Sequence, residues 1–564
     1  MLILLRFCLF MLSMSGSVWY LICRFRIRAE FAPALVCAWT STLLFLAGCL
    51  NLLPETALLL FIGGLLLLAV CFFQKYPVSI GRRIWILYAA GFCAALYFFL
   101  FLRKAHFTSY DNFSHWATVV KDMLLENRMP NFQDTMIRFQ SYPLGSSLWI
   151  YYVCRIVGIT DGCMLWAQVM LLFCLLFCMT AFLHKANWYG CLLVSAFGIW
   201  ACLANNSIYE LRVDTLLSAA GIAAFAVLYV YRHDPKKALY ACCGIFILLI
   251  QIKNSGVFFY IICLLFFAVS CRKEWKQHLR CFAAFGLAAP LFTLYLWKKH
   301  VAFAFAAGMD AKHSMNLAHF GEMAAKKSQK DILSIGKNIL RRFGEFKNIE
   351  VMLLVLLTVF LLVFAALFLF LLKNRHQAAR MLRLLAANLC CVALYTVSLY
   401  AMYVFSMPMG ESVRLASYDR YMLSVLVFLY GITIIVVIDT FRLSFPFANG
   451  ASAAAFAFFA GLLIYQASPR LSLLYELPEF THSKRFALQQ LLREHGVSQG
   501  DTCALYCNGS DDDKRYLFYL LRYELWTNEI LVMRGEELME HTQEIADFDH
   551  LIVWDYDARI REFL

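Results

Sequence analysis

Within Tyr110-Asp111-Asn112-Phe113-Ser114-His115-Trp116, a carboxylate, an imidazole and an indole fall inside about two helical turns. Asp111 and His115 are four residues apart, so on a helix they share a face. Three other polar stretches interrupt otherwise apolar sequence: Tyr209-Glu210-Leu211-Arg212 ahead of Asp214, Lys253-Asn254-Ser255-Gly256, and Arg414 with Ser417-Tyr418-Asp419-Arg420-Tyr421. One carboxylate with several cations suits transfer from a phosphate-bearing donor. The base takes the proton of an acceptor hydroxyl or amine, and the cations hold the departing phosphate. Arginine forks onto phosphate oxygens in a way lysine cannot, which gives Arg420 and Lys253 different uses.

The elements that position these groups are membrane helices. The chain has 564 residues, 62% hydrophobic and 15% charged, with a mean hydropathy of +0.67. So few polar residues cannot cover a soluble protein, and the composition is that of an all-α polytopic membrane protein. The net charge of +13 lies in short Lys/Arg clusters between apolar runs, as the positive-inside rule predicts, and is no nucleic-acid signal. The 21 cysteines lie mostly within apolar runs, as Cys174 and Cys178 do, and act there as small hydrophobes. No CxxC, HExxH or GxxxxGK[ST] pattern occurs. Residues 2–22 lack a small-residue cleavage site and are followed by Arg24, Arg26 and Arg28, so they read as a first span and not a removed signal peptide.

Spans are expected near 2–22, 32–52, 55–73, 84–102, 163–183, 189–204, 213–231, 238–252, 256–270, 280–297, 350–372, 384–405, 421–441 and 450–467, about 14 in all. The run 238–270 is divided at Lys253 because basic residues flank both of its ends, and two short spans with a turn satisfy the charge rule. Placing the basic connectors 24–28, 75–83, 184–185, 232–237, 272–280 and 373–383 in the cytoplasm puts the loops 104–162, 298–348 and 406–420 outside. Residues 144–158 are too short to cross and read as an interfacial or re-entrant helix. Val119 to Met129 reads as amphipathic and lying on the membrane surface. Trp116, Trp149, Tyr151 and Tyr152 read as interfacial aromatics.

A transmembrane domain of residues 1–469 thus precedes a tail of different character, 470–564. Helical patterns at 483–495 and 514–526 and the strand-like Leu551-Ile552-Val553-Trp554 predict a small extracytoplasmic α/β domain. Cys503 and Cys507 are open to two readings, a disulfide or two free thiols.

Each polar residue also has a plainer reading. Asp111 could solvate a loop, His115 could be an ordinary interface histidine, Asp214 and Lys253 could be a structural ion pair, and Arg420 an interfacial anchor. Their order and common sidedness favour a site.

In that order the chain resembles the GT-C superfamily, integral-membrane glycosyltransferases that use polyprenyl-phosphate-linked sugars, and is most similar to bacterial members with a DxFSHW-type loop. The resemblance rests on Tyr110-Asp111 to Trp116, Tyr142-Pro143-Leu144-Gly145, Arg212-Val213-Asp214, Lys253-Asn254-Ser255-Gly256 and Ser417 to Tyr421, and spans most of 84–441. It implies an inverting transfer from the lipid-linked donor to a glycan, lipid or protein acceptor at the outer face of a bacterial plasma membrane. Asp111 would be the catalytic base. Lys253 and Arg420 would contact the lipid phosphate and Asp214 would border the cavity, with His115, Trp116, Tyr142 and Tyr421 as further substrate contacts. Many members carry an adjacent acidic pair in the first loop. Here the second position is Asn112, so a divalent metal stays open but without the support of an acidic pair, and no metal site or other cofactor is assigned. The alternative is a transporter or flippase of a lipid-linked saccharide, which would set its charges near the bilayer midplane and break helices in paired halves.

Overall fold

The computed structural model describes all residues except Met1, 75–80, 184–187, 273–274, 306–316, 445–449 and Glu536. Parts of the connectors at 75–83 and 272–280 and of the 298–348 loop, and all of 184–185, therefore lie outside the described residues. Eleven of the described helices are long and apolar enough to cross a membrane, and the protein is an integral membrane protein of helical build. Three shorter apolar helices, Ala32–Gly48, Asp214–Val230 and Gly256–Ser270, accompany them.

The Asp214–Val230 helix is buried at nearly every residue and is packed between the helices Asp161–Leu176, Pro235–Ile252 and Tyr418–Ser444. A helix that is apolar all round belongs in the middle of a bundle. At the periphery, the helices Leu2–Phe25 and Leu53–Phe73 meet through small residues. A Cβ on Gly16 would lie 2.0 Å from the Gly64 carbonyl oxygen, so glycine is required there for the backbones to touch. Pro235–Ile252 and Gly256–Ser270 form a hairpin, with Phe246 and Tyr260 edge to face at 5.2 Å, and the turn holds Lys253. A Cβ on Gly256 would sit 1.8 Å from the Leu249 carbonyl oxygen, which makes that glycine the condition of the turn.

Several expectations are corrected. Gly145–Val157, expected as an interfacial or re-entrant helix, does not lie on a lipid surface but is buried among Ala32–Gly48, Asp161–Leu176, Leu2–Phe25 and Ala117–Glu126. Trp149, Tyr151 and Tyr152 are accordingly core residues at 0–2% exposure, and the Trp149 indole donates to the Ala167 carbonyl at 2.7 Å. Ala117–Glu126, expected on the membrane surface, is buried along most of its length beneath the tail. Amphipathicity alone cannot tell a lipid-facing helix from one that a later part of the chain covers. The span expected at 384–405 also runs longer: one helix extends over Arg375–Phe405, taking in most of the basic connector before it.

In the tail, three parallel strands, β1 (Cys503–Cys507), β2 (Ile530–Arg534) and β3 (His550–Val553), stand in the order β2-β1-β3. The helix Asp511–Leu525 crosses from β1 to β2, as a parallel pair requires. Cys503 and Cys507 are both buried free thiols at the two ends of β1, about 13 Å apart along a strand and far beyond disulfide reach.

Candidate functional site

Four loops converge at one end of the bundle. The first carries Asp111 just ahead of a π-helical turn, Asn112–Trp116, that leads into Ala117–Glu126; such widened turns recur at functional sites. The Asn112 side chain turns inward, where its Oδ1 accepts the Leu211 amide at 3.0 Å. That bond ties the loop before Asp214 to the loop of Asp111. The Gln168 side chain supports the same loop, donating to the carbonyls of Glu210 at 2.6 Å and Arg212 at 3.2 Å. Asp214 is the first residue of its helix, Lys253 lies in the hairpin turn, and Arg420 and Tyr421 sit in the first turn of Tyr418–Ser444. Leu415 and Ser417, ahead of that helix, hold left-handed φ values of 52° and 61°, a conformation costly for side chains with a Cβ.

The charges these loops deliver form an alternating chain. Lys253 Nζ lies 2.9 Å from Asp214 Oδ1, Arg420 Nε 3.3 Å from Asp214 Oδ2, and Arg420 Nη1 2.8 Å from Asp111 Oδ2. Arg212 Nη1 reaches the same Asp111 oxygen at 3.5 Å and pairs through Nε with Glu210. Asp214 is 3% exposed and is matched by two cations, as a buried carboxylate must be. Asp111 is more open, and both of its guanidinium contacts fall on Oδ2, so Oδ1 accepts no hydrogen bond from the described residues. The Tyr421 ring lies under both Lys253 and Arg420, with the cations 4.9 Å and 5.3 Å from its centroid.

His115 is buried behind Asp111. Trp116, Tyr142 and Phe139 stand around its ring at centroid distances of 4.8, 5.1 and 5.5 Å. Burial, reinforced by the Lys253 charge, pushes its pKa down to about 3, so the imidazole is neutral.

Asp111, His115, Trp116, Tyr142, Asp214, Lys253, Arg420 and Tyr421, the eight residues singled out in the sequence, all line one cavity of about 800 Å³. Residues given no role there complete it. Arg212, Glu411 and Arg414 come from the same loops, and Lys484, Asp512, Asp513, Arg515 and Tyr516 come from the tail. Arg212 was within reach of sequence reasoning, two residues before Asp214; the tail residues carried no local signal beyond an ordinary amphipathic helix.

The tail is fixed to the bundle by buried charges. Arg485 donates to Asp161 at 2.5 Å, to the Phe107 carbonyl at 3.0 Å and to Glu524 at 2.6 Å, and stacks over Phe113 at 5.4 Å. Arg522 donates to the Thr135 carbonyl at 2.6 Å and Tyr516 to the Thr108 carbonyl at 2.8 Å. The segment that carries Asp111 is thereby held from both sides.

Among the described residues no group of three or more His, Cys, Asp or Glu side chains could hold a metal ion. The inward-turned Asn112 gives the physical reason that position 112 contributes nothing to the cavity. No protein-family model matches the chain, and no curated protein sequence matches it.

Proposed function

We propose that the protein is a GT-C-type glycosyltransferase that moves a sugar from a polyprenyl-phosphate donor to an acceptor at the extracytoplasmic face of a bacterial plasma membrane. The observation that carries this reading is Asp111, with one carboxylate oxygen unengaged by the described residues, beside Arg212, Arg420 and Lys253 in one cavity. Lys253, Arg420 and Arg212 bind the donor phosphate, and the free oxygen of Asp111 takes the proton of the acceptor hydroxyl. The acceptor oxygen then bonds to the anomeric carbon as the bond from that carbon to the phosphate oxygen breaks. The electron pair leaves on the lipid phosphate, whose charge the cations stabilise. In-line attack inverts the anomeric centre.

The sidedness also favours a transferase over a flippase. The charged residues occur at helix ends, and tail residues wall the same cavity, whereas a transporter sets its charges near the midplane. Eleven helices long enough to cross, with three shorter apolar ones where the remaining crossings are expected, support a fourteen-span reading, and the parallel sheet supports reading 470–564 as a small α/β domain. The test is transfer of radiolabelled sugar from a polyprenyl-phosphate pool by the full-length protein in proteoliposomes. Labelled glycan product supports the proposal. Lipid-linked sugar crossing the bilayer without any product would replace it with the flippase reading.

A further inference from the structure

His115 stands apart from the ion-pair chain. It is 4% exposed, and its Nδ1 is buried with no hydrogen-bond partner among the described residues. Neutral imidazole carries one N–H and one lone pair. A buried N–H without an acceptor loses its full solvation, so the favoured tautomer leaves Nδ1 bare and puts the hydrogen on Nε2. Because the ring lines the cavity, that donor is available to a ligand oxygen.

The surroundings define what kind of ligand. Phe139 and Tyr142 lie nearly parallel, 28° apart with centroids at 5.3 Å, and Trp116 is inclined 36° to Tyr142 at 5.9 Å. Such rings take the C–H face of a saccharide ring, while a hydroxyl at its edge needs one polar contact. The carboxylates nearby, Asp111 and Asp214, are engaged by Arg420, Arg212 and Lys253. The wall of Trp116, Phe139 and Tyr142 itself carries no anion, so a cationic sugar ring finds no counter-charge on it. Nor does the wall hold a cation, because the His115 imidazole is neutral, so an anionic sugar ring finds no counter-charge on it.

We propose that His115, Trp116, Phe139 and Tyr142 form the sugar subsite of the cavity, and that it takes an uncharged pyranose, one hydroxyl of which accepts the Nε2–H of His115. This rests on the glycosyltransferase reading and names its substrate class. His115 then acts as a specificity-determining contact and takes no part in proton transfer.

The experiment uses the full-length protein in proteoliposomes, with a polyprenyl-phosphate hexose, its monodeoxy analogues, and the corresponding uronate and amino-sugar donors. Both kcat/KM and donor binding by displacement are measured. With wild type, one monodeoxy donor loses about tenfold to a hundredfold in binding and kcat/KM, as for a hydrogen bond to a buried site, while the others lose less. His115→Phe loses a similar factor on the parent hexose through KM but loses nothing further on that one analogue. His115→Asn, which keeps a donor, recovers most of the loss. The uronate and amino-sugar donors bind at least about tenfold more weakly than the hexose.

Equal use of all monodeoxy donors by wild type overturns the subsite without any variant having to fold. So does tight binding of a charged donor, or an equal loss by His115→Phe on every donor. If wild type binds the donors with this hydroxyl dependence but transfers nothing, the transferase reading fails and the subsite stands. Transfer without the dependence keeps the transferase reading and overturns the subsite, and neither binding nor transfer ends both.

Discussion

Asp111→Asn separates chemistry from structure more sharply than any other single change. The substitution keeps the shape and polarity of the side chain but removes its basicity. General-base catalysis contributes about 10²–10⁴-fold, which corresponds to roughly 3–5 kcal/mol of transition-state stabilisation. The structural cost is much smaller. Asp111 has a side chain 29% exposed, and Arg420 keeps its contact with Asp214 at 3.3 Å when the Asp111 charge is lost. An ion pair at a partly wet site is worth about 1 kcal/mol or less. The expected result is therefore a fall in kcat of two to four orders of magnitude, with donor binding changed by less than about tenfold and the thermal midpoint shifted by a few degrees at most. The assay is single-turnover transfer of labelled sugar in proteoliposomes at matched protein, with donor binding and thermal unfolding measured on the same preparations. A variant that keeps a tenth or more of wild-type turnover would remove Asp111 from the role of base. A variant that loses turnover only because it has unfolded would show that the ion-pair chain, and not the free oxygen, is what Asp111 supplies.

Asp214→Asn should show the opposite balance, since it strips a buried carboxylate from Lys253 and Arg420. Breaking such a buried pair costs about 3–5 kcal/mol, read as a lowered unfolding midpoint in detergent. Arg485→Met leaves Asp161 and Glu524 without their common partner at the seam between tail and bundle. Hydrogen exchange in 104–116 and in the helix Asp511–Leu525 should rise together, and unchanged exchange in 104–116 would show that the tail does not steady the Asp111 loop. Asp122, 3% exposed on Ala117–Glu126, has its pKa raised to about 8 by burial first and by Asp134 second. The folded state therefore binds a proton that the unfolded state, with its ordinary value of 3.8, has released, so stability falls as pH rises from about 4 to about 8. Asp122→Asn should flatten that fall and raise the unfolding midpoint at pH 8 relative to wild type; parallel midpoint-against-pH curves for the two proteins would refute the assignment.

The sequence by itself determined the membrane character, the places where apolar helices form, and the eight cavity residues it singled out. A charge at the end of an apolar helix is too costly to keep without a use, so Asp214, Lys253 and Arg420 were conspicuous where they stood. What covers what was decided only by the tertiary structure. Gly145–Val157 and Ala117–Glu126 have amphipathic patterns that a lipid surface or a protein neighbour satisfies equally well, and the neighbours come from elsewhere in the chain. Nothing in the sequence marks Lys484 and Arg515, which reach the cavity because Arg485, paired with Asp161, brings the tail over it. The Asp111–Arg420 contact joins residues 309 positions apart. Hydropathy and periodicity report the environment of a residue's own helix, and an ion pair across such a separation exists only once every intervening helix has packed.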